Sequence, residues 1–298
     1  MKNASFSFLF CILLIFLLIL LTEKPAQEKK PAPVLSKEIT VYHPDTDTTE
    51  KMPIDQYICY CLAGEMPASF HSEALKAQAV AIRSYISYKA QSASHPKNAD
   101  VCTDFNHCAA FSEIFDTFPE KTKEIYQNTV SATSAEVLYY ENQPANTVFH
   151  AMSGGKTESA ENVWGASVPY LISVDSFPDT ESEKFETVVS FSYAEIMQKL
   201  ETTSCTLGTI KHNEGGTVKN IVIGEKTFTG REIREKLSLR SAYFTVSDSG
   251  EALVFTVHGY GHGVGMSQEG ANSYAKQGLS YVEILEKYYP GTTLCRLY

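Results

Sequence analysis

Glu65 stands where a carboxylate can hold a proton: it falls in Leu62-Ala63-Gly64-Glu65-Met66-Pro67, between two stretches of helical periodicity. A carboxylate just past the C-terminal end of a helix faces the negative end of the macrodipole. That disfavours its ionised form and raises its pKa, as a general acid requires. On local pattern alone, an exposed turn glutamate is the simpler reading. A second group is His95, Cys102, His107 and Cys108, spaced H-x6-C-x4-H-C in a loop-like stretch with Pro96, Asn98 and Asp100. Two thiolates and two imidazoles make a closed tetrahedral zinc site, in which the metal is structural because no position is left for water. The spacing is not that of a standard zinc finger, so a Cys102–Cys108 disulfide or unpaired packing residues remain open alternatives. Ser153-Gly154-Gly155 and Gly261-His262-Gly263-Val264-Gly265 allow close backbone approach to a ligand. Neither has phosphate-loop or full dinucleotide spacing, and both read as cleft-forming turns or, equally, as tight turns with no ligand.

The elements that must position these groups are partly visible in the pattern. Pro53 sits at a tolerated first-turn position, and Ile54, Tyr57, Ile58, Cys61 and Leu62 follow at spacings of three and four. This predicts a helix that stops at Gly64, with Glu65, Met66 and Pro67 as the break. A second helix is expected over 72–90, with Leu75, Ala79, Ile82 and Ile86 on one face. From about 176 to 257 the chain becomes strand-like, as in Thr217–Ile223, Ala242–Val246 and Leu253–Val257. The expected fold class is α+β: a helical or mixed catalytic core over 39–298 with an inserted β-rich subdomain over about 176–257, preceded by one transmembrane helix. That helix is the apolar run from Ser5 to Leu21, whose residues at ~1.5 Å each approach the thickness of a bilayer core. The run ends without an A-x-A-like site, which favours an uncleaved anchor. Residues 22–38, rich in Lys, Glu, Pro and Ala, would form an extended tether; the flanking charges do not fix the orientation, which rests on the nature of the domain beyond, residues 1–4 being cytoplasmic and the tether extracytoplasmic if that domain works outside the cell.

Composition closes off other classes. With 43% hydrophobic and 20% charged residues the chain is an ordinary globular one, and a net charge of −10 with only short basic clusters argues against nucleic acid as a partner. Seven cysteines, one of them Cys11 in the apolar run, lack the regular spacing of a disulfide framework.

Three blocks carry a family likeness. The first is Leu62 to Pro67 followed by Leu75-Lys76-Ala77-Gln78-Ala79-Val80-Ala81-Ile82-Arg83-Ser84-Tyr85. The second is His150-Ala151-Met152-Ser153-Gly154-Gly155-Lys156-Thr157-Glu158, with Val163-Trp164-Gly165 and Pro169-Tyr170-Leu171. The third runs from Gly259 through Gly265 to Met266-Ser267-Gln268-Glu269-Gly270-Ala271. In this order the blocks resemble the stage II sporulation protein D (SpoIID) family over about 39–298. Ile82, where a small residue is usual, and Glu269, where an aromatic is common, depart from the family pattern.

The resemblance implies a lytic transglycosylase acting on peptidoglycan glycan stripped of stem peptides, during engulfment of the forespore by the mother cell. It places the catalytic acid/base on Glu65 and makes Ser153, Lys156, His262 and Gln268 candidates for holding the glycan strand. It further implies an extracytoplasmic domain on a single-pass membrane anchor, with a cell-wall amidase and other engulfment proteins as partners, and zinc on the His95, Cys102, His107, Cys108 group. Asp104, Glu158, Glu161 and Asp175 remain possible second carboxylates, which would permit hydrolysis instead. Two rival functions stay open: a non-catalytic glycan-binding enhancer of an amidase, and a zinc hydrolase acting on amide or ester bonds.

Overall fold

A computed structural model describes residues 37–92 and 94–296. The anchor expected over 5–21 and nearly all of the tether lie outside the described residues. Among the described residues no helix is long and apolar enough to cross a membrane.

Two strands open the domain, β1 (Glu38–His43) and β2 (Thr48–Pro53), paired antiparallel with Ile39 opposite Met52. Pro53 then fixes the entry of α1 (Ile54–Glu65), whose buried face is Ile54, Tyr57, Ile58, Cys61 and Leu62. The helix runs one residue further than its pattern predicts. Gly64 keeps a helical conformation and Glu65 is the last helical residue. The break comes at Met66, extended at φ −132° and ψ 137° because Pro67 follows it. Next comes α2 (Ser72–Ser92), with Leu75, Ala79, Ile82 and Ile86 fully buried and small Ala74, Ala77 and Ala81 allowing neighbours to pack closely. Its Arg83, also buried, holds Asp55 at 3.1 Å and the carbonyl of Thr133 at 2.7 Å.

The chain returns to the first sheet through β3 (Val101–Cys102), parallel to β1, before α3 (Glu120–Ala132). Strands β4 (Glu136–Tyr140) and β5 (Gln143–Pro144) form a second small sheet, and β6 (Phe149–His150) and α4 (Ala160–Trp164) follow.

The strand-bearing stretch begins at Glu186 rather than at 176, since residues Phe177–Glu181 form a tight 3-10 turn. It comprises β7 (Glu186–Ser192), α5 (Tyr193–Leu200), β8 (Leu207–His212), β9 (Val218–Ile223), β10 (Lys226–Thr229), α6 (Gly230–Leu237), β11 (Phe244–Asp248) and β12 (Ala252–His258). Both helices start on capping boxes, Ser192 with Glu195 and Thr229 with Glu232, which satisfy otherwise orphaned amide groups. The strands form two antiparallel sheets, ordered β10-β9-β8 and β11-β12-β7. Their alternating residues, Phe191, Ile221, Ile223, Phe244, Leu253, Phe255 and Val257, close a hydrophobic cluster drawn wholly from 191–257. A larger cluster uses residues on both sides of that span, from Ile39 to Leu171 and from Val264 to Tyr289.

The chain finishes with β13 (Met266–Ser267), α7 (Gln268–Lys276), α8 (Tyr281–Tyr288) and β14 (Thr293–Arg296). β13 pairs parallel to β6, setting Met266 opposite Phe149 and Ser267 opposite His150. β14 pairs with β4. The fold is thus mixed α and β, with eight α-helices and several small sheets among the described residues.

Candidate active site

The C-terminal end of α1, the turn after β6 and the start of α7 meet around Glu65. One carboxylate oxygen of Glu65 accepts the Ala110 N–H at 2.9 Å, and the other accepts the side-chain amide of Gln268 at 3.0 Å. Burial pushes the Glu65 carboxyl above its ordinary range, against the lowering effect of these two hydrogen bonds. Loss of solvent is therefore the main cause, where the sequence pointed to the helix end. The carboxylate opens onto a cleft of about 300 Å³ also lined by Phe70, Met152, Lys184, Arg240 and Tyr260. Tyr260 is 49% exposed, and the Arg240 guanidinium lies 4.8 Å from its ring centre. The same guanidinium donates to Thr187 Oγ1 at 2.8 Å and to the Lys184 carbonyl, so the β-rich part supplies one wall.

Beneath the cleft is a buried carboxylate with no signal in the sequence. Asp179 accepts from the Ser153 N–H and Oγ, from Ser176 Oγ at 2.9 Å and from Ser267 Oγ at 2.8 Å. Ser267 is the N-cap of α7, so Asp179 ties the turn after β6 to the helix that presents Gln268. Burial raises its pKa, and the serine hydrogen bonds oppose the rise. The residue lies in a short turn without periodicity, and only tertiary pairing brings its partners to it.

The four candidates for holding glycan separate in space. Gln268 reaches Glu65. Ser153 is 1% exposed and spends its hydroxyl on Asp179, so it braces the floor and does not face a ligand. Lys156 is exposed, bridges through its backbone to Asp175, and does not line the Glu65 cleft. His262 lines a different cavity, beside Trp164. None of Asp104, Glu158, Glu161 or Asp175 lines the cleft either; the second carboxylate that does is Glu269.

His95, Cys102, His107 and Cys108 converge, with one ligand atom from each lying within 4.8 Å of the others. His95 Nε2 is 3.3 Å from Cys108 Sγ, and His107 Nδ1 is 3.4 Å from Cys102 Sγ and 3.7 Å from Cys108 Sγ. Donors around a tetrahedral zinc, with bonds of roughly 2.0–2.3 Å, stand roughly 3.3–3.8 Å apart; these three separations match that spacing, and the widest of the set, at up to 4.8 Å, would close slightly around an ion. A hydrogen bond from the Cys108 thiol holds the Cys102 thiol below its ordinary range, which favours a thiolate at that position. The group sits two residues before Ala110, whose N–H holds Glu65. Phe111 then stacks on Tyr60 of α1, with ring centres 4.8 Å apart. Gly64 permits this approach, because a Cβ there would lie 2.9 Å from the Ala110 carbonyl oxygen.

Residues 42–140 match the family model SpoIID, Stage II sporulation protein. The chain is 37% identical over 283 residues to Stage II sporulation protein D of Bacillus subtilis (strain 168), covering 91% of this chain and 82% of that protein. It is 37% identical over 290 residues to the Bacillus amyloliquefaciens protein of the same name, covering 92% and 84%. A more distant likeness, 28% over 294 residues and 39% of the relative's length, is to a Bacillus subtilis protein named Amidase enhancer. With long, well-covered matches of this identity and the three blocks folded around one cleft, the chain belongs to the stage II sporulation protein D family.

Proposed function

We propose that this chain acts in sporulation as a peptidoglycan lytic transglycosylase, cleaving the linkage between muramic acid and N-acetylglucosamine in denuded glycan and leaving 1,6-anhydro ends. The supporting observation is a half-buried carboxyl group, Glu65, held in a cleft by two fixed N–H donors and shifted toward its protonated form. Protonated Glu65 gives its proton to the glycosidic oxygen as the bond to the anomeric carbon breaks. The muramoyl 6-hydroxyl closes on that carbon, and its proton returns to Glu65, so no water is consumed. An internal nucleophile at high effective concentration replaces the second carboxylate of a hydrolase. Gln268 and Ala110 orient the carboxylate, while Arg240, Lys184 and Tyr260 present charge and a ring face to the strand.

His95, Cys102, His107 and Cys108 would hold a zinc ion whose contribution is structural, fixing the loop that ends in the Ala110 N–H. The N-terminal run anchors the enzyme in the engulfing membrane with the domain outside the cytoplasm, beside an amidase that strips stem peptides. The full-length chain incubated with denuded glycan gives anhydro-ended fragments by mass spectrometry, and Glu65→Gln forms them roughly 10²–10⁴-fold more slowly. Reducing ends in place of anhydro ends would convert the reading to hydrolysis with Glu269 as the second carboxylate. The relative named Amidase enhancer favours one other reading, a glycan-binding activator without bond cleavage. Absence of any fragment, together with stimulation of an amidase unaffected by Glu65→Gln, would establish it.

A further inference from the structure

A second cavity, of about 430 Å³, opens between α4, β9 and α6, and the proposed transglycosylase chemistry does not use it. Trp164 stands at its mouth with 42% of its surface exposed, its ring centre 5.1 Å from that of His262. The Val264 N–H donates to His262 Nδ1 at 3.1 Å, and burial holds the His262 pKa down to about 4, so the ring is a neutral, fixed wall. Arg231 is paired with Glu235 at 2.8 Å. The Arg234 guanidinium lines the cavity with no hydrogen bond or ion pair of its own among the described residues; it feels the Glu235 carboxylate, which Arg231 holds, and Glu161 and Lys219 also line the space.

The cavity is braced before any ligand arrives. Glu158, 1% exposed, accepts from Asn162 Nδ2 at 2.8 Å on the α4 wall and from Thr217 Oγ1 at 2.7 Å beside β9. One buried carboxylate thus fixes both walls, which limits the ordering cost of binding. An indole face suits the C–H surface of a sugar ring, neighbouring amides suit hydroxyl or acetamido groups, and an unpaired guanidinium suits a carboxylate in a two-pronged hydrogen bond. The glycine-bearing turn separates this cavity from the Glu65 cleft: Tyr260 lines one and His262, two residues on, lines the other.

We propose that the cavity of Trp164, His262 and Arg234 binds a carboxylate-bearing sugar, a muramic acid unit of the glycan strand, at a position separate from the site of cleavage. The proposal rests on the glycan reading of the Glu65 cleft but not on bond cleavage there. Trp164 is the only tryptophan of the chain, so its fluorescence reports this cavity alone. Titration of the full-length chain with N-acetylmuramic acid gives a saturable change. N-acetylglucosamine, without the carboxylate, and D-lactate, without the ring, each bind about tenfold more weakly, as loss of a charge-assisted hydrogen bond or of a stacked ring predicts. Arg234→Gln brings N-acetylmuramic acid to the level of N-acetylglucosamine, and Glu65→Gln leaves the titration unchanged. No saturable change, equal responses to all three probes, or wild-type binding by Arg234→Gln would each overturn it. A chain that passes this titration yet leaves glycan uncut loses the catalytic reading alone, and one that cuts glycan but fails the titration loses this site alone.

Discussion

At the scale of single residues, Glu65 has opposing demands on it. Burial raises its pKa while Ala110 and Gln268 lower it, so the balance between desolvation and two donors sets how much acid form is present. Removing one donor shifts that balance in a known direction. Gln268→Ala takes away a lowering influence, so the alkaline limb of the cleavage rate moves to higher pH, as a pH–rate profile against wild type would record. Glu65→Gln removes the transferable proton and is expected to lower the rate by roughly 10²–10⁴-fold. The same variant carries a stability signature. A folded-state pKa above the unfolded value penalises the charged form, so the penalty is complete above the folded pKa and absent below the ordinary value of about 4.3. Glu65→Gln therefore raises the melting temperature at neutral pH, and the gain vanishes as pH falls below the ordinary glutamate range. Asp179 is the contrary case, since its carboxylate satisfies hydroxyls that burial would otherwise orphan. Asp179→Ala should cost about 3–5 kcal/mol, measurable by urea unfolding, because a buried network loses its common acceptor.

At the scale of elements, the end of α1 and the loop from Cys102 to Phe111 work as one unit. The loop has little regular structure to hold it, and its fixed points are the clustered thiols and imidazoles at one end and the Phe111 stack on Tyr60 at the other. Between them the Ala110 carbonyl rests on Gly64 and the Ala110 N–H on Glu65. Gly64→Ala sets two effects against each other. Alanine in a helix gains about 0.5–1 kcal/mol over glycine, but its Cβ would press on a backbone oxygen with no flexible side chain to yield. The overpacking term, about 1–3 kcal/mol, wins and is relieved by moving the loop. The expected result is a large fall in turnover with at most a modest fall in melting temperature. Chelation should act through the same loop: metal loss lowers the melting temperature and slows cleavage together, and Cys102→Ser reproduces both without chelator. Pattern made much of this unit legible. The three-and-four spacing after Pro53 marks α1, and the residue types mark the cluster of two histidines and two cysteines that converges. The contact between Gly64 and Ala110 was not legible, because no periodicity links a helix end to a loop 46 positions away.

At the scale of the whole molecule, the cleft is made where segments distant in sequence are brought together by pairing. The parallel match of β6 with β13 brings Met152 and Gln268 to one cleft, while the β-rich stretch folds on its own hydrophobic cluster and lends Arg240 to the rim, beside Lys184 just ahead of its first strand. The blocks around residues 65, 150 and 265 are visible as sequence. The cationic wall is not, because Lys184 and Arg240 stand in stretches that read only as strand and turn. Their position has a physical consequence in a chain of net charge −10. An anionic polysaccharide is repelled at long range by the molecule as a whole and attracted only where basic groups line the cleft. Binding of glycan should therefore depend on these two side chains more than on any feature of the acid itself. Arg240→Ala leaves Glu65 and its donors in place and removes an interaction made equally with substrate and transition state, which raises KM without a matching loss of kcat. The expected rise in KM is about tenfold in low salt, the worth of one charge-assisted hydrogen bond. Added salt weakens the wild type toward the variant, since exposed charges are screened within about 10 Å at 0.1 M. Steady-state cleavage of denuded glycan at two ionic strengths measures both effects, and a fall in kcat with KM unchanged would instead make Arg240 part of the chemistry.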